Sequence, residues 1–419
     1  MLIFSRKGLV TFLITLLVLA AGYGDFRPSS FDLTVAPYKY SLLRWEISHF
    51  MDKWLNKLSD LMPWTTEPPR EERFTQIREF FDLGQELRRL ERQLLDTPSG
   101  GETEPRLGAQ IKEISQRRAE IQATVEESIE SEISAVLSQE GFASRIGLIF
   151  PPVDTVFARS PGVLVLSPRD RIHRQQSILM KPGLSGETRN RIEDQILEDR
   201  NLAALVESTG GVAAFPSVVS ESGGLRHAVV TASHEWLHHW FFFQPLGQHF
   251  WDNSDMTTLN ETAATLGGEI IGDRVFTAIT GEQVDRDTQP PAPVDPDAFD
   301  FNQAMHETRL RTEELLAQGE IEEAEAYMEE RRLFMAENGV FIRKINQAFF
   351  AFHGTYATSA ASISPIDEQL RELRSRSETL EDFLKTVGAF GSYGEFLEHL
   401  DAGARAYSRK LTLRIVEGG

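Results

Sequence analysis

The chain has 419 residues, of which 41% are hydrophobic, and this is enough for two or three structural units with hydrophobic cores. Its formal net charge of −20 at pH 7 argues against nucleic acid or an anionic lipid surface as the main partner of the protein body, since either requires clustered lysine and arginine. The chain contains no cysteine, which excludes disulfides, thiolate metal sites and a cysteine nucleophile, so any metal must be held by histidine and carboxylate side chains.

The N-terminus carries an apolar run at residues 9–22, preceded by Arg6 and Lys7. With about 15 residues, the run is intermediate in length between a signal-peptide core and a minimal membrane span. Basic residues before such a run keep the N-terminus in the cytoplasm and direct the remaining chain across the membrane. We therefore expect residues 1–24 to be a single membrane anchor or a signal peptide, with the body of the protein membrane-anchored or secreted, outside the cytoplasm.

Residues 25–70 are predicted to be an amphipathic helical segment. Its aromatic content, with Trp45 and Trp64 beside the apolar stripe, suits a membrane interface, but a helix packed on the protein body has the same pattern. The stripe recurs at helical spacing and comprises Leu43, Ile47, Phe50, Met51, Trp54, Leu58, Leu61 and Met62.

Residues 71–140 form two strongly charged runs in which apolar residues recur every three or four positions. The turn-forming stretch at residues 98–101 separates the runs, so the pattern predicts an antiparallel helical hairpin. The hairpin either packs on the protein body or forms a coiled-coil arm that binds a partner protein.

Residues 141–284 begin with short apolar runs bounded by proline and glycine, which are typical of strands. Pro216 indicates that the last of these strands lies at the edge of a sheet, because proline cannot donate to a central ladder. We expect a small sheet with strands at residues 146–150, 155–157, 162–166, 172–180 and 211–219, and a helix over residues 186–207.

The next predicted helix contains the pattern His-Glu-x-x-His, with His234, Glu235 and His238. Positions i and i+4 lie on one face of a helix, so both imidazoles can point at a single zinc ion. Glu235 lies about 100° around the helix from His234, where it can hold a metal-bound water and act as the general base. The pattern therefore predicts a hydrolytic metal site.

A tetrahedral catalytic zinc needs a third protein ligand. The metzincin continuation is excluded, because Phe241 and Gln244 occupy the positions of its glycine and histidine. A second helical pattern follows from Thr258, with Ser254 or Asp255 as its expected N-cap. Further candidates in this region are expected to be solvated or capping side chains, and they are His239, His249, Asp252 and Glu269.

The second helical pattern carries the pair Asn260-Glu261. Together with His234 and His238, this pair resembles the gluzincins, the thermolysin-like and aminopeptidase-like zinc peptidases, whose third ligand is the glutamate of an Asn-Glu pair on the following helix. The resemblance implies that Glu261 completes the zinc site. It also implies a zincin-like fold, in which a small sheet precedes the active-site helix and its edge strand pairs with the extended substrate.

The small residues of the second helix support close packing against the active-site helix, and they are Ala263, Ala264, Gly267 and Gly268. Close packing would let the short carboxylate of Glu261 reach the ion. The chain departs from the thermolysin-like pattern at Thr265, where those enzymes have an aspartate that orients a zinc-bound histidine. The residues that orient the ligands are therefore not given by the resemblance.

The C-terminal part is predicted to be a proline-rich linker or loop at residues 285–300 and a helical subdomain at residues 301–419. A looser resemblance, to a bacterial family of predicted zinc aminopeptidases, extends from about residue 210 to residue 399. It depends on the zinc motif, the Asn-Glu helix and a later Asn...Thr-Tyr stretch. It implies that Tyr356 or His353 stabilises the oxyanion of the reaction.

These patterns predict an α+β, predominantly α-helical protein with a zincin-like catalytic core at residues 141–284. The expected function is that of a zinc-dependent metallopeptidase acting on a peptide or protein substrate, with an aminopeptidase as one form of it. Two alternatives belong to other classes. In the first alternative, the chain is a pseudo-enzyme whose hairpin binds a partner. In the second, it is a cell-envelope scaffold in which the zinc motif is a coincidence.

Overall fold

The computed structural model describes residues 30–46, 68–97, 101, 103–284 and 299–403. The predicted N-terminal anchor and most of the amphipathic segment, including residues 47–67, lie outside the described residues, as does the proline-rich stretch from 285 to 298. Within the described ranges, no helix has both the length and the apolar character that crossing a membrane requires. The fold is α+β and mostly helical, as the sequence predicts.

The first described segment begins with a short helix, α1 (Ser30–Val35), which continues into a 3-10 turn at Ala36–Tyr38. Val35 is fully buried. Lys39 forms an isolated β-bridge with Met180, and the Tyr40 N–H donates to the carbonyl of Leu179 at 2.9 Å. The segment therefore lies along the edge of the sheet that contains Met180.

The predicted hairpin consists of helices α2 (Arg70–Leu95) and α3 (Thr103–Gln139). The helices are antiparallel, because Arg70 pairs with Glu132 at one end and Glu79 pairs with Arg117 farther along. Their buried faces join the main hydrophobic core, to which they contribute Ile77, Phe80, Phe81, Ile121, Val125, Ile129 and Ile133. The hairpin therefore packs on the protein body, which was one of the two arrangements left open by the sequence.

Two three-stranded sheets follow. In the first, of order β3-β2-β4, all neighbours are antiparallel, and in the second, of order β1-β6-β5, β1 is parallel to β6 while β5 is antiparallel to it. The elements are β1 (Thr155–Phe157), β2 (Gly162–Pro168), β3 (Gln176–Met180), α4 (Gly186–Arg200), β4 (Leu202–Ser208), β5 (Gly211–Val212) and β6 (Ser217–Val219).

Strands β2 and β4 of the β3-β2-β4 sheet are buried on both faces. Leu164 and Val206 face α1 and α4, whereas Val163 and Leu205 belong to the core formed with later helices. A strand buried on both faces reads as a continuous apolar run without alternation. This explains why the expected helix over residues 186–207 is wrong in its last third, where Asn201 ends α4 in the left-handed conformation and β4 begins.

Three further expectations about the strands are wrong. The described residues form two small sheets where one was expected. Residues 146–150 form a turn, closed by a hydrogen bond from Ser144 N–H to Leu148 O, and the side chains of Ile146 and Phe150 are largely exposed. Pro216 directly precedes the central strand β6 (Ser217–Val219), so it lies outside the ladder and its missing N–H removes no ladder hydrogen bond.

Helices form the remaining structure. Asn253 is the N-cap of α7, one residue before the expected cap, and its side chain accepts from Met256 N–H at 3.0 Å. The helices are α5 (Gly224–Phe242), α6 (Pro245–Gln248), α7 (Ser254–Thr280), α8 (Phe301–Ala317), α9 (Ile321–Glu337), α10 (Gln347–His353), α11 (Ile366–Arg376) and α12 (Leu380–Gly388).

Helices α5 and α7 pack with their backbones in close contact. A Cβ added at Gly268 would lie 2.9 Å from the Cα of His234, and one at Gly272 would lie 2.5 Å from the Cα of Val230. No side chain larger than hydrogen fits at either position without separating the helices. The predicted close approach of these two helices is thus confirmed, and it brings the candidate metal ligands together.

Candidate metal centre

His234, His238 and Glu261 converge at the interface of α5 and α7. The two Nε2 atoms are 2.9 Å apart, and Glu261 Oε2 lies 3.3 Å from His238 Nε2 and 3.5 Å from His234 Nε2. For a tetrahedral ion with ligands at about 2.1 Å, neighbouring ligand atoms are separated by about 3.4 Å. The three atoms therefore have the spacing of one face of a metal coordination shell, and the group could hold a metal ion.

The chemistry of the donors also fits a cation. Glu261 is 9% exposed, and its Oε2 is buried without a hydrogen-bond partner in the described structure. Burial alone would raise the pKa of Glu261, but the charges of His238 and His234 and their hydrogen bonds to the carboxylate together outweigh burial and lower it. Burial likewise acts to lower the pKa of His238, but the charge and hydrogen bond of Glu261, together with the charge of Glu235 and the hydrogen bond to Asn260, raise it to about 9. The cluster thus needs a positive charge, which a proton supplies when no metal is bound.

Asn260 fixes the orientation of His238. Asn260 is almost fully buried, its Nδ2 donates to Leu246 O at 3.4 Å, and its Oδ1 lies 2.9 Å from His238 Nδ1. Because the amide nitrogen faces a carbonyl, the amide oxygen faces the ring, so the proton of neutral His238 lies on Nδ1 and leaves the Nε2 lone pair for a metal. This orienting function of Asn260 was not predicted from the sequence.

Thr265 does not take the place of the absent aspartate in orienting a histidine. Its hydroxyl donates to the backbone carbonyl of Glu261, one turn earlier in α7, at 2.8 Å. Asn260 could have been identified as an orienting residue from its position, because it precedes the carboxylate ligand by one residue and lies about 100° around the same helix.

Glu235 is buried beside the triad formed by His234, His238 and Glu261, and 7% of its surface is exposed. Burial raises its pKa, and the positive charges of the two histidines oppose this only in part. The backbone of β5 lies directly against it, since a Cβ added at Gly211 would be 2.5 Å from Glu235 Oε1. Glu235 is therefore held in one place, with a raised proton affinity, next to the candidate metal site.

A cleft of about 630 Å³ opens over these residues. Its walls come from β5 and the residues around it, from α5, from α7 and from the end of α10. Besides the triad and Glu235, the lining includes Arg174, His227, Phe242, Phe250, Trp251, Glu269, Phe352 and Tyr356. Arg174 and the aromatic residues other than Tyr356 were not predicted as cleft residues, because they come from separate segments of the chain.

Of the two candidates for oxyanion stabilisation, Tyr356 lines the cleft and His353 does not. The negative charge of Glu261 raises the pKa of Tyr356 well above its usual value, with burial contributing in the same direction. His353 instead packs on Phe349 and Phe352, at ring-centroid distances of 4.3 and 5.1 Å, and burial lowers its pKa.

The other candidate ligands lie outside the triad. His239 is near Phe215, and burial lowers its pKa to about 4. His249 and Asp252 pair with each other at 2.7 Å and are both exposed. Glu269 lines the cleft farther along α7. In the described part of the chain, His234, His238 and Glu261 are the group with metal-binding geometry.

Comparison of the chain with protein families, with curated proteins and with solved structures gives no match. Its function must therefore be inferred from the geometry of the cleft.

Proposed function

We propose that this protein is a zinc-dependent metallopeptidase of the gluzincin type, in which His234, His238 and Glu261 hold the ion and Glu235 is the general base. The observation that supports the proposal most directly is the triangle of ligand atoms beside a separately buried carboxylate. A structural zinc site has four protein ligands, whereas three ligands and an adjacent carboxylate are typical of a hydrolytic site.

Zinc, when bound, lowers the pKa of water and polarises a carbonyl oxygen. Glu235 then accepts a proton from the attacking water and delivers it to the leaving amine. Its raised pKa makes the carboxylate a better proton acceptor than a solvated carboxylate would be. Tyr356 stays protonated at neutral pH, so its hydroxyl can donate to the oxyanion.

The sheet β1-β6-β5 supports a place for an extended peptide. Its β1 edge is occupied by α3, since Glu126 and Glu130 accept hydrogen bonds from the N–H groups of Phe157 and Thr155, each at 2.8 Å. Its other edge strand, β5, pairs only with β6 within the described residues and borders the cleft. A peptide pairing with β5 would pass over Glu235 and the triad.

The proposal also includes the predicted location. The N-terminal apolar run would attach the protein to a membrane, or direct its secretion, with the cleft outside the cytoplasm.

The test compares zinc content and peptide hydrolysis in the wild type and two variants. Glu235→Gln keeps the size and most hydrogen bonds of the side chain but removes the base, so zinc should remain while turnover falls by a factor on the order of 10² to 10⁴. His238→Ala should lose zinc and activity together, because two ligands bind the ion too weakly to survive dialysis.

Each alternative function gives a different result. One zinc per chain without hydrolysis in the wild type indicates a pseudo-enzyme, and absence of bound zinc indicates a scaffold. A Glu235→Gln protein that cleaves peptides at the wild-type rate would refute the mechanism even if zinc were bound as proposed.

A further inference from the structure

We propose that Arg174 binds a carboxylate group of the substrate next to the metal centre. This inference builds on the proposed peptidase function, for which it defines a substrate class. Arg174 lies in the connection between β2 and β3, outside every motif that the sequence analysis used.

Arg174 is positioned at the cleft by two contacts. Its Nε donates to Ser177 Oγ at 2.7 Å, and its guanidinium lies over the ring of Phe352, 5.8 Å from the ring centroid. Its charge also acts on Tyr356, which packs against Phe352 and interacts with Glu261. The guanidinium is therefore held on the same side of the cleft as the tyrosine proposed to bind the oxyanion.

The guanidinium has no carboxylate partner in the described structure. The two preceding arginines of the same connection do: Arg169 pairs with Glu325 at 2.6 Å and Arg171 with Asp170 at 3.2 Å. For Arg174, the hydrogen bond from Nε to Ser177 leaves both Nη groups available, and these are the atoms that form a two-pronged contact with a carboxylate.

The charges around the cleft strengthen the inference. Glu235, Glu261 and Glu269 line it, and among the described residues Arg174 is its only arginine or lysine. With zinc bound, the net charge of the triad becomes positive, and Arg174 then provides a second, separate positive group. A substrate with a carboxylate a short distance from the bond to be cleaved would match both.

A second cavity, of about 750 Å³, meets the metal cleft at Arg174 and Trp251, since both residues line both spaces. The substrate chain therefore has room beyond Arg174. The carboxylate could belong to the C-terminus of a short peptide or to an internal Asp or Glu side chain, and the experiment must separate these sources.

The experiment measures peptide binding by calorimetry to zinc-loaded protein carrying Glu235→Gln, so that no peptide is consumed. One peptide pair differs only in a C-terminal carboxylate or carboxamide. A second set consists of C-terminally amidated peptide pairs, and the two peptides of each pair differ only in having Glu or Gln at one internal position. We expect one of the two sets to show about 10- to 100-fold tighter binding of the carboxylate form, the effect of a hydrogen bond to a charged group.

Adding Arg174→Gln should abolish this preference, and Arg174→Lys should retain part of it, because lysine keeps the charge but not the planar fork. Arg171→Gln is the matched control, an arginine of the same connection that is exposed and paired away from the cleft, and it should leave the preference unchanged. Zinc content of each variant shows whether the fold is kept.

A preference that survives Arg174→Gln, or the absence of any preference in both peptide sets, overturns the assignment of Arg174. A carboxylate preference that depends on Arg174 in a protein that hydrolyses no peptide would support Arg174 and overturn the peptidase proposal. Hydrolysis without a carboxylate preference would support the peptidase proposal and overturn the assignment of Arg174.

Discussion

Replacing Gly211 by alanine tests whether the position of Glu235 controls the reaction. The added Cβ would lie 2.5 Å from Glu235 Oε1 and 2.7 Å from Thr231 Cγ2, whereas ordinary contacts begin at 3.4 Å. The carboxylate or the strand must therefore move by about 0.9 Å (3.4 − 2.5). A misplacement of this size costs about 10²-fold in rate, or about 2.7 kcal/mol in activation free energy. Zinc should be retained, because Glu235 is not a proposed ligand.

Gly210→Ala is the control, since a Cβ there would meet its nearest atom, Nε2 of His227, at 3.8 Å. The assay compares kcat and zinc content of both variants with those of the wild type, and we expect a large fall in kcat for Gly211→Ala alone. A Gly211→Ala protein with wild-type kcat refutes the positioning argument. An equal fall in both variants would assign the effect to the strand backbone and not to Glu235.

Two further predictions concern metal binding. Asn260→Ala should weaken zinc binding about 10- to 100-fold, because His238 loses the acceptor that orients it. Asn260→Asp is the control, since it keeps an acceptor at that position. Competition with a chelator measures the zinc affinities, and equal affinities in the wild type and both variants would contradict the prediction. Zinc affinity should also rise about tenfold per pH unit from pH 7 and level off near pH 9, because the raised pKa of His238 means that zinc must displace a proton below that pH. The positive charge of protonated His238 should also stabilise the metal-free fold, fully below pH 6.5 and progressively less as the pH rises through 9. A metal-free protein with constant thermal stability over this pH range would contradict the raised pKa of His238.

The metal centre could be predicted from the sequence because its geometry is local. His234 and His238 are one helical turn apart, so their convergence follows from the helix itself. The partner helix could not be identified from local geometry, and Glu261 was assigned through the resemblance carried by the Asn260-Glu261 pair. The small residues of that helix supported close packing, and Gly268 indeed leaves no space between the helix and His234.

The strands could be predicted less well. β4 has the continuous apolar pattern of a strand buried on both faces, which a helix can also show, and only the left-handed Asn201 marks the boundary. Residues 146–150 are apolar enough to resemble a strand but form an exposed turn. Arg174 and Tyr356 are 182 positions apart (356 − 174), and no sequence period could indicate that both face the same cleft.

The cover that residues 30–46 form along β3 has a practical consequence for producing the protein without its apolar N-terminus. A truncation at the start of the helical hairpin would remove the bridge from Lys39 and the hydrogen bond from Tyr40, and would leave a bare strand edge on which a second copy can pair and aggregate. It would also remove the hydrogen bond from Trp45 Nε1 to the Pro216 carbonyl, in the loop between β5 and β6. A truncation that begins just before Ser30 keeps the edge covered and leaves the strand beside the cleft supported.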